Sequence, residues 1–165
     1  MSGLKAGDQF PADVTFKYVP WTTDDVKVCG IPTTLAASKD WADKKVVLVS
    51  VPGAFTPTCS ANHVPPFAAG VKELRAKGVD VIAIIAPNDA YVMSAWGKVN
   101  GVRDDDVLFL GDTETQFAKQ IGWIGAGDRN ARFAAIIDQG VVKYAAKEEA
   151  PGVTVSGFDA VLGAL

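Results

Sequence analysis

Cysteine and histidine are scarce in this sequence, and their scarcity excludes several kinds of site. The 165 residues contain two cysteines, Cys29 and Cys59, and one histidine, His63. Two cysteines do not build a disulfide-stapled scaffold. With a single histidine they also fall short of the four protein ligands of a structural zinc site. We therefore expect no bound metal.

Long apolar runs, a basic surplus and a secretion signal are also missing. The apolar runs are strand-sized, well below the roughly 20 residues of a membrane-spanning helix. A net charge of −3 provides no basic surface for nucleic acid or anionic lipid. The residues 163–165 are Gly-Ala-Leu and lack the Ser-Lys-Leu type of peroxisomal address. With no signal pattern at the start, the sequence predicts a cytoplasmic protein without nucleic-acid or membrane partners.

What is present is an ordinary globular composition. Apolar residues make up 48% of the chain and charged residues 21%, as in a typical compact domain. A chain of this length buries a substantial core. We expect a single domain over residues 1–165, with no repeat and no linker.

Strand and helix patterns alternate along the chain. The predicted strands are a half-buried one around 14–18, then 45–51, 79–86, 107–110, and a hairpin of 132–138 with 141–146. The predicted helices begin near Cys59 with a proline kink and end at Gly78, run from a cap at Asp89 to about Val99, and cover 113–121 and about 156–162. This order predicts an α/β fold with a mixed central sheet flanked by helices, in the thioredoxin-like arrangement.

The segment 51–60 carries the strongest chemical signal. It follows a buried strand and delivers Cys59 to the start of a helix, where unpaired backbone N–H groups favour a thiolate. A buried, inert cysteine is the plain alternative. Ser60, Ala61 and Asn62 follow, so no second cysteine lies at C-x-x-C spacing. A thiol–disulfide oxidoreductase, which needs such a pair, is therefore disfavoured.

The motif Pro52-x-x-x-Thr56-x-x-Cys59 resembles the active-site signature of the peroxiredoxins. The longer run 52–60, continued by His63-Val64-Pro65, is similar to the type II, or peroxiredoxin-five-like, subgroup. The likeness runs from 5–8 through 88–97 to Arg132-Phe133, which covers nearly the whole chain. It is strongest to fungal members, the yeast-type alkyl hydroperoxide reductase and the mould allergen peroxiredoxins.

The resemblance implies a thiol peroxidase that reduces hydrogen peroxide and alkyl hydroperoxides without a metal, haem or flavin cofactor. Cys59 would attack the peroxide and become a sulfenic acid. Thr56 and Arg132 would hold the peroxide, and Pro52 would shield the pocket from water. Arg129 lies only three residues before Arg132, but Arg132-Phe133 fits the family pattern better.

The second cysteine has two possible roles. Cys29 occupies the place where the yeast-type enzyme keeps its resolving thiol, which implies a Cys59–Cys29 disulfide across a homodimer, reduced by thioredoxin. The C-terminal resolving cysteine of animal relatives is missing, since Val153–Ser156 occupies that region. In the alternative, Cys29 is inert and glutathione or glutaredoxin recycles a one-cysteine enzyme.

Two further questions stay open at this stage. His63 lies four residues after Cys59, and we interpret it as a packing residue with an indirect influence on the site, in preference to a general base. The same cysteine chemistry would also serve a redox sensor, which oxidises once and is recycled slowly. A sustained rate of peroxide consumption separates an enzyme from a sensor.

Overall fold

A computed structural model describes residues 2–165 of the chain, which form one mixed sheet between two layers of helices. The strand order in the sheet is β2-β1-β5-β4-β3-β6-β7. The strands are β1 (Phe16–Tyr18), β2 (Thr33–Leu35), β3 (Lys45–Ser50), β4 (Val81–Ala86), β5 (Val107–Gly111), β6 (Phe133–Asp138) and β7 (Val141–Lys147).

The helices connect and cover these strands. They are α1 (Ala37–Asp40), α2 (Val64–Ala69), α3 (Val71–Ala76), α4 (Ala90–Val99), α5 (Gln116–Ile121) and α6 (Phe158–Ala164), with a π-helical segment at Cys59–His63 and 3₁₀ turns at Thr113–Thr115 and Ala126–Asp128. Across residues 2–165, none of the helices has the length and apolar character to cross a membrane. The cytoplasmic location expected from the sequence stays a prediction.

The central strands form the mixed sheet that the sequence predicted, which confirms the α/β fold class. β3, β4 and β5 run parallel, as expected for continuous apolar strands covered on both faces. β6 pairs antiparallel with β3 and forms a hairpin with β7. Two hydrophobic clusters fill the two faces of the sheet. Val47 and Val49 of β3 belong to one cluster, and Val46 and Leu48 belong to the other, because successive side chains of a strand point to opposite faces.

The helix that follows β3 is interrupted twice. A π-helical turn covers Cys59–His63, closed by the bond from the Val64 N–H to the Cys59 carbonyl. The two prolines that follow it lie in the first turn of α2, where a missing N–H costs little. The kink predicted at the prolines is therefore a widened helical turn. The helix itself is divided at Gly70, between α2 and α3, where a side chain would not fit. A Cβ there would lie 2.2 Å from the Phe158 ring and 2.9 Å from the Pro66 carbonyl oxygen.

Three local features differ from the sequence prediction. β2 and α1 were not predicted, because segments of three and four residues carry no measurable periodicity. The predicted helix 113–121 is a 3₁₀ turn followed by α5, and both Glu114 and Thr115 adopt left-handed backbone conformations with φ of 57° and 54°. The end of that helix at Gly122, also left-handed, is as expected.

A buried polar cluster explains this irregular start of α5. Asp112 is 1% exposed and its carboxylate accepts from the backbone N–H groups of Phe117 and Ala118 at 2.8 and 3.1 Å. Its Oδ2 also accepts from Asn130 at 3.0 Å, and Asn130 donates to the Ser50 hydroxyl. Burial raises the pKa of Asp112, and these hydrogen bonds act against that shift. The cluster joins the ends of β3 and β5 to the segment that leads into β6.

Removing this carboxylate should destabilise the protein strongly. We expect Asp112→Ala to lower the free energy of unfolding by about 3 kcal/mol, because it leaves buried N–H donors without an acceptor. Urea denaturation at pH 7 measures this loss. The control is Asp43→Ala, whose side chain is 86% exposed and whose loss should cost less than about 0.5 kcal/mol. Equal losses of unfolding free energy in the two variants would show that the Asp112 cluster does not stabilise the protein more than an exposed carboxylate does.

Candidate active site

Cys59 lies in the first turn of the helix that follows β3. Helical backbone begins at Pro57, so Cys59 lies in the positively polarised end of the helix, as the sequence predicted. Its side chain is 1% exposed and belongs to the hydrophobic cluster on that face of the sheet. The thiol is thus almost completely shielded from water.

Arg132 brings a permanent positive charge to this buried sulfur. It immediately precedes β6, and the pairing of Ser50 with Phe133 places the end of β3 beside it. Its Nη2 donates to Cys59 Sγ at 3.3 Å. Arg129 does not reach this sulfur. Its guanidinium lies over Gly53 instead, 2.9 Å from where a Cβ would be.

His63 contacts the same guanidinium from the other side. Its Nδ1 is 2.9 Å from Arg132 Nη1, and its Nε2 is 2.8 Å from the Ser156 carbonyl oxygen. The ring is 1% exposed. Burial lowers the pKa of His63 from its usual 6.5 to about 4, and the charge of Arg132 acts in the same direction, while the Ser156 bond and Glu148 oppose it.

Glu148 is a member of this group that the sequence did not single out. It directly follows the hairpin strand β7, and its carboxylate accepts from the N–H and hydroxyl groups of both Thr154 and Ser156 at 2.6–2.9 Å. Partial burial would raise the pKa of Glu148, but these hydrogen bonds lower it to about 2. The neighbouring Ser156 was likewise missed, since a turn of polar residues carries no signal of its own.

Pro52 and Thr56 lie on the loop that leads to Cys59. Pro52 and Arg132 line an open groove together with residues 148–152. The Thr56 hydroxyl donates to the Gly53 carbonyl at 2.7 Å, so it fixes the loop and does not cap the helix. Phe55, between them, is 54% exposed with a left-handed φ of 60°, and so is not a core residue.

Cys29 lies apart from this group on an exposed loop. Lys98 of α4 holds that loop, because its Nζ donates to the carbonyl oxygens of Asp25 and Val28 at 2.9 Å each. In the conformation described, the two cysteines are both free. A bond between Cys29 and the buried Cys59 requires movement of the loop, of the helix start or of both.

The lowered pKa of His63 makes stability depend on pH. Between pH 6.5 and 4 the unfolded chain binds a proton at His63 that the folded chain does not, so the free energy of unfolding falls as the pH is lowered through this window. We expect His63 to account for up to about 3 kcal/mol of that fall. Urea denaturation at pH 7 and pH 4.5 should show a smaller fall for His63→Gln. Identical falls in the two proteins would contradict the neutral buried imidazole.

Comparisons with known proteins identify the family of this chain. The model of the Redoxin family matches residues 5–162. Among curated relatives, a putative peroxiredoxin, prxA, of Emericella nidulans is 59% identical over 91% of this chain and 90% of its own length. The peroxiredoxin AHP1 of Chaetomium thermophilum is 50% identical over 100% of this chain and 96% of its own.

A solved structure gives the same result for the three-dimensional fold. The reduced Prx3 of Vibrio vulnificus, in complex with hydrogen peroxide, is 35% identical and superposes with a TM-score of 0.84 over 98% of both chains. The resemblance of the motif around Cys59 is thus matched by overall sequence and by fold. This chain therefore belongs to the redoxin family, and within it to the peroxiredoxins, the thiol peroxidases.

Proposed function

We propose that this chain reduces hydrogen peroxide and alkyl hydroperoxides with Cys59 as the nucleophile. The observation that carries the proposal is the 3.3 Å contact of Arg132 Nη2 with the Sγ atom of the buried Cys59. A guanidinium stays charged at all working pH values and offers several fixed donors. It therefore stabilises a negative sulfur and has further N–H groups for a peroxide oxygen.

The first step is a displacement at oxygen. The Cys59 thiolate attacks the terminal oxygen of the peroxide, a sulfur–oxygen bond forms and the oxygen–oxygen bond breaks. The electron pair leaves with the second oxygen, which takes up a proton and departs as an alcohol, or as water when the substrate is hydrogen peroxide. The cysteine is oxidised to a sulfenic acid and the peroxide is reduced.

Thr56 and Pro52 complete the pocket in this proposal. Because the Thr56 hydroxyl donates its hydrogen to the Gly53 carbonyl, its oxygen retains lone pairs that accept the O–H of a hydroperoxide. Pro52 has no N–H and lines the groove beside Arg132, so it excludes water without competing for the peroxide.

We propose that Cys29 of a second subunit then resolves the sulfenic acid. Its sulfur attacks Cys59, water leaves, and an intersubunit disulfide forms, which the dithiol of thioredoxin reduces back to two thiols. The exposure of Cys29 and the burial of Cys59 support this division of roles. For the two sulfurs to meet, the Cys29 loop, the start of the helix at Cys59 or both must move.

The surroundings of Cys29 also support a homodimer. Val26 and Val28 on the Cys29 loop and Tyr91 on α4 are 46–52% exposed and line one groove. Phe55, which is 54% exposed, contacts Trp96 of the same helix with ring centroids 6.3 Å apart. Exposed apolar side chains grouped in this way are typical of a protein interface. The proposed interface thus flanks both cysteines.

Replacing the nucleophile should abolish turnover. We expect Cys59→Ser to reduce the rate of peroxide consumption by about a thousandfold or more, because a serine hydroxyl is not ionised at neutral pH. The assay follows peroxide loss with dithiothreitol as reductant, and circular dichroism confirms that the variant is folded. Appreciable retained turnover would refute the assignment of Cys59.

Replacing the proposed resolving cysteine should separate the two half-reactions. We expect Cys29→Ser to react with the first equivalent of hydrogen peroxide at the wild-type rate but to lose cycling with thioredoxin. In a non-reducing gel after one equivalent of peroxide, the wild type should form a covalent dimer and the variant should not. Unchanged cycling of the variant with thioredoxin would overturn the resolving role and favour the one-cysteine route with glutathione or glutaredoxin.

A further inference from the structure

The hydrogen bonds around Arg132 form a closed circuit that returns to Arg132 itself. Its guanidinium contacts Cys59 through Nη2 and His63 through Nη1. The His63 ring reaches the Ser156 carbonyl, and Ser156 donates twice to the Glu148 carboxylate. The backbone N–H of Glu148 then donates to the Arg132 carbonyl at 2.9 Å. The proposed function uses only the first of these contacts.

The partners of His63 determine which of its nitrogens carries the proton. The Ser156 carbonyl oxygen is only an acceptor, so Nε2 must donate to it. In the neutral ring Nδ1 is then the acceptor, and it faces an Arg132 N–H at 2.9 Å. His63 is therefore arranged to hold Arg132 in place, and it has no proton at Nδ1 that would repel the guanidinium.

The position of the Ser156 carbonyl depends in turn on Glu148. Ser156 is fully buried, and both its N–H and its hydroxyl donate to Glu148 Oε1, at 2.9 and 2.8 Å. Thr154 binds the same carboxylate through its N–H and its hydroxyl, each at 2.6 Å. Four donors on one carboxylate fix the turn of residues 154–156, and so fix the direction in which the Ser156 carbonyl points.

We propose that Glu148 is a positioning residue for peroxide reduction, which acts through Ser156 and His63 to orient the Arg132 guanidinium against Cys59 Sγ. This inference rests on the proposed function of Cys59 and Arg132. Glu148 contacts neither of those side chains, and its carboxylate is saturated by the turn it holds. Its effect on the reaction is therefore transmitted by the neutral ring of His63.

The turn has a second attachment, which makes the effect testable without unfolding the loop. The Tyr144 hydroxyl donates to the Val155 carbonyl at 2.5 Å, and the backbone bond from Glu148 to Arg132 survives any change of side chain. Loss of the carboxylate should therefore loosen the direction of the Ser156 carbonyl while the turn stays attached to the hairpin.

The experiment compares Glu148→Ala with Glu148→Gln in the full chain. Stopped-flow tryptophan fluorescence gives the second-order rate constant for oxidation by hydrogen peroxide. We expect Glu148→Ala to lower this constant by about 10- to 100-fold, the usual cost of a misplaced reacting group. Glu148→Gln keeps an acceptor oxygen for Ser156 and an amide donor for the Thr154 hydroxyl, so it should stay within about threefold of wild type. The exposed Glu73→Ala is the matched control and should not change the constant.

A double-mutant cycle tests transmission through the histidine. In a His63→Leu background the circuit is already broken, so adding Glu148→Ala should cause less than about a twofold further loss. A merely structural role for Glu148 would instead give the same fold-loss in both backgrounds and would overturn the proposal. If His63→Leu does not fold, the comparison of the alanine and glutamine variants decides alone.

The remaining outcomes separate this inference from the function on which it rests. If the wild type is oxidised at Cys59 and Glu148→Ala reacts at the same rate, the positioning role is wrong and the peroxidase assignment stands. If Glu148→Gln is as slow as Glu148→Ala, the charge and not the hydrogen-bond geometry matters, which also overturns the inference. A wild type that does not react with hydrogen peroxide at Cys59 overturns both.

Discussion

A guanidinium 3.3 Å from a buried sulfur is the interaction on which the rest of this site depends. Burying a charge is costly unless it is paired and hydrogen-bonded. A negative charge on the buried Cys59 sulfur therefore needs a fixed cation beside it. The sheet supplies that cation because β6 pairs antiparallel with β3, so that the start of one strand meets the end of the other. Cys59 follows the end of β3 and the loop that begins at Pro52, and Arg132 directly precedes Phe133 at the start of β6.

The polar groups near Cys59 and Arg132 fix the positions of these two residues and add no further charge to the sulfur. His63 is kept neutral by burial and presents an acceptor to Arg132. The Asp112–Asn130–Ser50 cluster connects the same strand ends, and the Ser50 hydroxyl also donates to the Ala131 carbonyl. Both groups place hydrogen-bonded polar atoms in the interior, where such bonds rigidify their surroundings, although the Oδ1 atom of Asn130 accepts no hydrogen bond within residues 2–165. His63 thus holds the Arg132 side chain directly, and the cluster holds the backbone next to it.

The sequence predicted the parts of this structure that follow from local patterns. Apolar runs located β3, β4 and β5, and the Asp89 side chain does cap α4 by accepting from Val92. The same local pattern predicted the position of Cys59 after a buried strand. The sequence did not predict roles for Glu148 and Ser156, because the contacts that connect them to the site are with residues that are distant along the chain. The left-handed pair Glu114 and Thr115 was also hidden, since the buried carboxylate of Asp112 enforces it against local preference.

The wide separation of the contributing segments has a consequence for the order in which the molecule is made. Arg132 lies 73 residues after Cys59 and the Ser156 carbonyl 93 residues after His63. During synthesis the thiol therefore emerges long before the groups that surround it, and these non-local contacts are the slowest to form. In a nascent or stalled chain, Cys59 has no guanidinium beside it. Under the proposed function, the reaction with peroxide therefore waits until β6 has joined β3 and folding is complete.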